Sequence, residues 1–279
     1  MDPKKIDPRY YQLFALSSLL ALGTVFFDIQ ISMANVVAIL ITALITQVIS
    51  DVTISDGIQG IPSALISALS LCLLLRTTDA LIAIIAALIA IGSKRLISYK
   101  KQHLYNPTAL SLVTTTLVFE GAWISPGQWG HELYLLILIV GVGSLVSGRA
   151  SRLDISLGFL FSFAALCVLR ALYLGDPLNI PLHQLSSGAL LIFAFFMISD
   201  PRTSPRSRSG RLIYALLVAI VSACFSFVFY QANGPIYALV LCAPVVPVLN
   251  KFFSGTPYQW PRVQKSNSQL QPTCGVHHA

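Results

Sequence analysis

The sequence predicts an all-α integral membrane protein with about ten transmembrane helices, arranged as two inverted repeats of five. Three observations predict this class. Of 279 residues, 55% are hydrophobic and only 10% are charged. The mean hydropathy is +0.75, and the apolar residues fall into ten runs separated by charged, Pro or Gly breaks. A soluble domain of this length does not have such a composition.

The ten apolar runs are the predicted spans. Several are shorter than the roughly 20 residues that cross a hydrocarbon core of about 30 Å, so flanking polar residues or local bilayer thinning must contribute. We separate the third and fourth runs because one fused helix would bury Arg76 and Asp79, at about 2.5 kcal/mol or more per charge. The runs cover residues 13–27, 31–49, 61–75, 80–92, 107–119, 133–147, 155–174, 185–198, 212–230 and 235–249.

The domain organisation follows from these runs. Residues 1–12 are predicted to be a cytoplasmic N-terminus, and residues 13–250 a membrane domain whose repeat halves are about 13–120 and 121–250. Residues 251–279 are predicted to form a cytoplasmic, disordered tail. The first run is interpreted as a retained span because no small-residue cleavage site follows it.

The cations set the predicted orientation. With ten spans, 16 of the 18 Lys and Arg residues fall on the same side as both termini, and only Arg76 and Arg170 fall opposite. The positive-inside rule then puts both termini and the loop with four arginines in the cytoplasm. Topology and anionic lipid contacts explain this charge, so no nucleic-acid partner is expected. The 16 are Lys4, Lys5, Arg9, Lys94, Arg95, Lys100, Lys101, Arg149, Arg152, Arg202, Arg206, Arg208, Arg211, Lys251, Arg262 and Lys265.

An internal repeat is indicated by the third and eighth runs. They open "GIPSALISALSLCLLL" and "NIPLHQLSSGALLIFAFF" and share an Ile-Pro entry followed by small residues. Five spans per half require opposite orientations of the halves, a plan that puts ligand sites between them. Chance similarity of two apolar runs is the alternative.

Several functional classes are disfavoured by the polar residues. All eleven acids fall at span ends or in loops, whereas pumps and ion-coupled carriers generally use an intramembrane carboxylate. The histidines and cysteines lack metal-ligand spacing, and no nucleophile with a base is evident. We therefore predict no catalytic residues and no metal.

Two stretches at cytoplasmic helix starts carry the candidate site. In "YNPTAL", Asn106 is the expected N-cap, with Pro107 in the first turn. In "SDPRTSPRSRSGRLIY", residues 199–214, four arginines, several hydroxyls and the amides near Gly210 precede the ninth helix. This arrangement suits a phosphate. An ordinary basic, lipid-facing loop is the alternative.

At these residues the sequence resembles the RnfD and NqrB subunits of flavin-dependent electron-transport complexes. The match comprises an Asp-Pro-x-Thr-Ser-Pro loop, a following Gly-Arg-x-Ile-Tyr element, the preceding "SSGALLIFAFFMISDP" and the Asn-Pro pair. The resemblance implies a membrane subunit that binds flavin, passes electrons and contacts other subunits of a redox complex. The implied cofactor-binding residues are Asn106, Asp200, Arg202, Thr203, Ser204, Gly210 and Arg211.

One departure from the family bears on the cofactor. The family attaches FMN to a threonine in a Ser-Gly-Ala-Thr segment, but Leu190 stands where "SSGAL" would need that threonine. We therefore expect a noncovalent flavin (FMN or riboflavin), a quinone, or a changed role as in the related UnbU-type proteins. Arg202, Arg206 and Arg211 are expected to neutralise a phosphate or stabilise reduced flavin, with hydrogen bonds from Asn106, Thr203 and Ser204.

Two other functions remain open at this point. A transporter of a small solute could use the same inverted-repeat scaffold, and so could a scaffold that only anchors redox partners, because fold does not dictate function. A bound chromophore would distinguish the flavin-binding redox subunit from both of these alternatives.

Overall fold

Helices make up nearly all of the regular structure in a computed structural model of the chain, which describes residues 7–26, 31–54, 60–99, 102–125 and 133–258. The all-α class is confirmed. The predicted disordered tail lies outside the described residues from residue 259 onward, as do residues 1–6 of the N-terminus. The helices are α1 (Pro8–Phe26), α2 (Met33–Ile54), α3 (Ile61–Leu74), α4 (Ala80–Leu96), α5 (Pro107–Val118), α6 (Leu133–Arg149), α7 (Leu153–Leu174), α8 (Asn179–Leu185), α9 (Gly188–Ile192), α10 (Arg208–Phe227), α11 (Gly234–Cys242) and α12 (Val245–Phe252).

Each of the ten predicted apolar runs coincides with one helix or with a series of consecutive helical segments. The eighth run contains the end of α8, then α9 and a π-helical segment, Phe193–Met197, and the chain bends by 50° at the break after Leu185. The tenth run contains α11 and the start of α12, with a 57° bend around Pro244. By length and composition, three of the described helices are able to cross a membrane, and five spans result if each bent pair counts as one.

Four very short strands extend two of these helices or close a loop. Strand β1 (Leu75–Thr77) follows α3 and pairs antiparallel with β4 (Ala122–Ile124), which follows α5. Strands β2 (Ser98–Tyr99) and β3 (Gln102–His103) pair in the loop between α4 and α5. The strands fix where α3 and α5 end, and they bring His103 to the start of α5.

Local sequence sets five of the described helix starts. The Asp79 carboxylate accepts a hydrogen bond from the Leu81 amide at 2.8 Å and caps α4, and Ser207 caps α10 through the Gly210 amide. Proline in the first turn opens α3, α5 and α11, where its missing N–H costs no intrahelical bond. Gly175 ends α7 in the left-handed conformation with φ of 74°.

The two halves of the chain pack in a similar order. In the first half, α3 packs on α1 and α2, and α4 packs on α2 and α5. In the second half, α9 and the π-helical segment take the place of α3: both pack on α6, and the π-helical segment also packs on α7. Helix α10 takes the place of α4 and packs on α7 and α11. Between the halves, α1 contacts α6 and α5 contacts α11.

The core of the second half is aromatic around the π-helical segment. The rings of Phe159 and Phe193 pack edge to face with centroids 4.9 Å apart. A Cβ at Gly143 would stand 2.7 Å from the Cβ of Phe195, so glycine is needed for this close approach of α6. Small residues at such contacts are typical of helix packing in membranes.

Candidate functional site

A narrow, solvent-open cleft lies where the starts of α3 and α5 meet the end of the π-helical segment. It encloses about 530 Å³ of atom-free space, solvent included. One wall is apolar or aromatic and the rim is polar and cationic. The lining residues are Arg9, Gln12, Ser63, Ile66, Ser67, Ser70, His103, Asn106, Pro107, Thr108, Phe196, Met197, Asp200 and Arg202.

Asn106 joins the two halves of the chain at the back of this cleft. Its Oδ1 accepts a hydrogen bond from the Ala109 amide at 3.1 Å, which confirms the predicted N-cap of α5. Its Nδ2 donates to the Met197 carbonyl oxygen at 3.1 Å. The side chain is buried, and both of its functional groups are used, so Asn106 positions the cleft wall.

Arg202 and His103 form the cationic rim of the cleft. The Asp200 carboxylate accepts a hydrogen bond from the Arg202 amide at 3.0 Å, which fixes the turn that projects Arg202. Nη1 of Arg202 lies 3.3 Å from Nε2 of His103, and Nδ1 of His103 lies 3.0 Å from the Lys94 carbonyl oxygen. Because a carbonyl only accepts, Nδ1 carries the proton, and Nε2 accepts from Arg202 in the neutral tautomer.

The environment of His103 keeps its imidazole neutral. Burial is the largest influence and lowers its pKa to about 4; Asp200 raises the pKa, while Arg202 and Lys94 lower it further. A neutral ring beside a guanidinium leaves the Arg202 charge without a paired anion at this contact. The rim of the cleft therefore presents the Arg202 guanidinium next to a neutral imidazole, with the Asp200 carboxylate in the same turn.

A second group of bonded side chains lies beside the cleft, at the ends of α2 and α4 and the start of α3. The buried Lys94 ammonium donates to the Ser63 carbonyl oxygen at 2.8 Å and to the Ser63 hydroxyl at 3.2 Å. Arg95 pairs with the buried Asp51 at 2.6 Å. These bonds tie the end of α4 to α3 and α2 beside the cleft.

The remaining predicted site residues lie away from the cleft. They pack within the arginine loop, which we define as residues 199–211 with Arg202, Arg206, Arg208 and Arg211. Arg211 holds both carboxylate oxygens of Asp154, with Nε 2.9 Å from each oxygen, and its Nη1 donates to the Arg206 carbonyl oxygen at 2.9 Å. Ser204 is buried, and its hydroxyl accepts from Nε of Arg152 at 3.2 Å. The guanidinium of Arg211 thus fastens the start of α10 to the first turn of α7.

Thr203 and Gly210 complete this packing. Thr203 is buried, and its amide donates to the Asp200 carbonyl oxygen. The Gly210 amide is bonded to the Ser207 hydroxyl at 3.1 Å, and a Cβ at Gly210 would stand 2.8 Å from that oxygen. The amide that we expected to meet a phosphate therefore caps its own helix.

The structure thus brings Asn106, Asp200 and Arg202 together and places the other four predicted residues behind them. The four arginines of the loop do not converge. Arg208 is exposed at the start of α10, and the Arg206 amide donates to Asn250 at 2.9 Å. Arg211 lies apart from Arg202 because its guanidinium is bound to the Asp154 carboxylate. Such a charge-assisted bond is stronger than a hydrogen bond between neutral groups.

Several residues of the cleft are not evident from sequence reasoning. His103 stands alone in the sequence, although it precedes Asn106 by three residues in the same loop. Arg9, Gln12 and Phe196 reach the cleft only through the packing of α1 and the π-helical segment. Among the described residues, no group of three His, Cys, Asp or Glu side chains is placed to hold a metal ion.

Comparison with known proteins decides the family. The sequence profile of the NQR2, RnfD, RnfE family matches residues 80–259, which include Asn106, the arginine loop and the second half of the fold. The chain belongs to the NQR2, RnfD, RnfE family. It is a multi-pass membrane protein, as its apolar helices and this family indicate.

Individual relatives carry the same family signal. The chain is similar to the RnfD subunits of the ion-translocating oxidoreductase complexes of Stutzerimonas stutzeri, 34% identical over 131 residues, and Citrobacter koseri, 27% identical over 153 residues. These matches cover 46% and 54% of this chain. The chain spans only 36% and 43% of the length of these two curated relatives.

Proposed function

We propose that this protein is an RnfD-like membrane subunit that binds a flavin noncovalently in the cleft and takes part in electron transport across a bacterial inner membrane. The observation that carries the proposal is the cleft itself. It combines an aromatic wall at Phe196 with a cationic rim at Arg202 and His103, and it lies at the family's Asn-Pro and Asp-Pro-x-Thr-Ser-Pro elements. The names of the relatives support the redox role.

The side chains that line the cleft suit a planar heteroaromatic group. Ile66, Pro107 and Phe196 give an apolar surface for one face of such a ring. Gln12, Ser67 and Arg202 give donors at the edge for carbonyl or ring-nitrogen acceptors. An isoalloxazine fits this pattern, and so does a quinone, which is the alternative occupant. The bound group would supply the one- or two-electron redox chemistry.

The residues of the chain bind and orient this group. Arg202 offsets negative charge on the ligand, and neutral His103 accepts from Nη1 so that the guanidinium keeps its orientation. Asn106 and Met197 hold the two walls of the cleft at a fixed separation. Arg211 and Asp154 position the loop that carries Arg202, so we now assign Arg211 a positioning role.

The proposed cofactor is noncovalent. Leu190 is 6% exposed in the core at the start of α9, so position 190 offers neither the hydroxyl nor the accessibility for a phosphodiester bond. This supports a flavin held by shape, stacking and charge.

We propose that all ten apolar segments traverse the membrane as two inverted repeats. The equivalent packing order of the two halves supports this, as does the contact of α1 with α6 and of α5 with α11, since a pseudo-two-fold axis joins equivalent segments at its centre. Strand β1 lengthens α3, and three strand residues add about 10 Å to the roughly 21 Å of a 14-residue helix. Both termini then lie in the cytoplasm, and the partners are membrane lipids and other subunits of a redox complex.

A solute carrier on the same scaffold is the second candidate. The hydroxyls of Ser67, Ser70 and Thr108 line the inner part of the cleft, and such hydroxyls are able to replace the hydration of a small polar solute. Uptake of solute into proteoliposomes distinguishes it from the redox function.

An absorbance spectrum tests the proposal. Protein purified in mild detergent should show oxidised-flavin bands that bleach on reduction with dithionite, and Arg202→Gln should lower the flavin content while Arg208→Gln, an exposed loop control, keeps it. Protein without chromophore that also fails to bind added FMN, riboflavin or quinone would contradict the proposal.

A further inference from the structure

A second cleft lies at the opposite end of α3, about 20 Å from Ser63 along the 14-residue helix. It encloses about 390 Å³ of atom-free space, open to solvent, between the start of α2 and strands β1 and β4. Nothing in the proposed redox site uses it. Its polar lining comprises Ser32, Asn35, Arg76 and Thr77, and the apolar lining includes Val36, Ile39, Leu75 and Trp123.

Arg76 is the unusual residue of this cleft. It is only 8% exposed, yet none of the four ion pairs between described residues includes it. Its Nη1 donates to the carbonyl oxygens of Cys72, Leu73 and Leu75 at 3.2, 3.2 and 3.0 Å, which caps the C-terminal end of α3. Its Nη2 has no hydrogen-bond partner within the described structure.

The unused Nη2 indicates a missing acceptor. A buried guanidinium nitrogen without a partner destabilises the fold more than a buried neutral donor does. The folding equilibrium constant falls on the order of 10-fold or more. Helix capping explains Nη1 but leaves Nη2 unexplained. An oxyanion beside Arg76 would supply the acceptor and the counter-charge together.

The surroundings identify the oxyanion. Trp123 is paired with Arg76 across the β1–β4 ladder and is half exposed, and tryptophan side chains concentrate at the headgroup level of membranes. Helix α2 leaves this cleft with an exposed apolar stripe at Met33, Val37 and Ile41, which suits contact with an acyl chain. At that depth the abundant oxyanion is phosphate.

We propose that the cleft around Arg76 binds a phosphate group at the membrane end opposite the redox cleft. A phospholipid headgroup with its acyl chain along α2 satisfies every feature of the cleft, and a soluble phosphate compound would use the same Arg76 contact. Asn35 holds the cleft in shape, since its Nδ2 donates to the Thr77 carbonyl oxygen at 2.9 Å and fastens α2 to β1.

The test compares Arg76→Gln with Arg170→Gln, a change at the other cation predicted on this side, which is already paired with Asp176. Native mass spectrometry of detergent-purified protein should show bound phospholipid in the wild type and the control, and at least about tenfold less in Arg76→Gln. Arg76→Lys keeps the charge without the planar fork and should fall between them; it replaces the Gln variant in the comparison if that variant does not fold.

Two further measurements separate the sources of phosphate. Phosphatidylglycerol in mixed micelles should raise the Tm of delipidated wild type but not of Arg76→Gln. A rise with millimolar inorganic phosphate, absent with chloride at equal ionic strength, assigns the site to soluble phosphate compounds instead. Equal lipid retention and equal Tm shifts in wild type and both Arg76 variants would overturn the proposal. Flavin content, measured in parallel, should not change, so this outcome is independent of the redox cleft.

Discussion

Nε2 of His103 lies 3.3 Å from Nη1 of Arg202, ninety-nine positions away in the sequence. The contact joins the loop before α5 to the arginine loop before α10, so it links the two halves of the chain at the mouth of the cleft. It exists only while His103 is neutral, because a protonated imidazole has no acceptor for the guanidinium. This makes the cleft rim sensitive to pH.

Acidification should weaken the protein through His103. Its pKa is about 4 in the folded protein, below the ordinary value of 6.5, mainly because of burial. Between these values the unfolded chain binds the additional proton, so stability is fully present above about pH 6.5 and is lost as the pH falls toward 4. The Tm of the wild type should therefore fall more between pH 7.5 and 5 than that of His103→Gln. Parallel pH dependences would show that His103 is not buried as described.

Asn106 should contribute to stability through two separable bonds. Asn106→Ala loses the cap of α5, which costs about 0.5–2 kcal/mol, and the bond to Met197, which costs about 1 kcal/mol more. Asn106→Ser keeps a neutral cap acceptor and loses the donor to Met197. Thermal melts in detergent should thus rank wild type, Ser and Ala in that order, and equal losses for both variants would contradict a structural link between the halves.

Local patterns predict the helices and several of their boundaries well. The ten apolar runs coincide with helical segments, and the Asn106–Pro107 start follows from capping chemistry alone. In the run 61–75 the helix ends at Leu74, one residue before the end of the run, because Leu75 pairs with Ile124 in a strand ladder. That pairing depends on a partner 49 positions away, which no local window contains.

The candidate site was predictable only in part. The sequence singles out the arginine loop but not the different surroundings of its arginines. Arg211 faces Asp154 at the start of α7, whereas Arg202 reaches His103, and both partners are distant in sequence. The π-helical segment packs against Phe159 and against Gly143 through Phe193 and Phe195, and these contacts are likewise not evident from composition.

Reporter fusions should test the proposed topology. Reporters after Arg152 and Arg208 should report cytoplasm, and one near Asn179 the exterior, because 16 of 18 cations share one side in the ten-span arrangement. Matched fusions after Thr77 test the β1 end of α3 and should also report the exterior. A cytoplasmic signal at Asn179 together with an external one at Arg152 would mean that one of the short spans α5 or α6 does not cross.

Any flavin should leave the polypeptide on denaturation. Acid or detergent should release it completely, because Leu190 replaces the attachment threonine and is buried. Fluorescence of the supernatant and of a denaturing gel measures the free and bound fractions. Fluorescence that stays with the protein band would reveal an attachment residue elsewhere in the chain.

Arginine-to-lysine changes at 202 and 211 should have different effects, although both keep the positive charge of the loop. Arg202→Lys removes the planar fork at the cleft rim, so flavin content should fall by about tenfold for a lost contact of about 1.5 kcal/mol, with little change in Tm. Arg211→Lys loses the guanidinium bonds to both oxygens of Asp154, so its main effect should be on stability. Arg211→Gln removes the ion pair and leaves the Asp154 carboxylate with the hydrogen bond from the Ile155 amide, so it should cost on the order of 3 kcal/mol.

Arg208→Lys is the control for both changes, because Arg208 is exposed at the start of α10. Flavin content by absorbance and Tm by thermal melting, measured on the same preparations, separate binding from folding. A fall in flavin content of Arg211→Lys without a fall in Tm would place Arg211 in direct contact with the ligand, against the geometry of its bond to Asp154. If Arg202→Lys keeps full flavin content and redox activity, only the positive charge of the loop matters. The arginine loop would then set the membrane topology and would not bind the ligand.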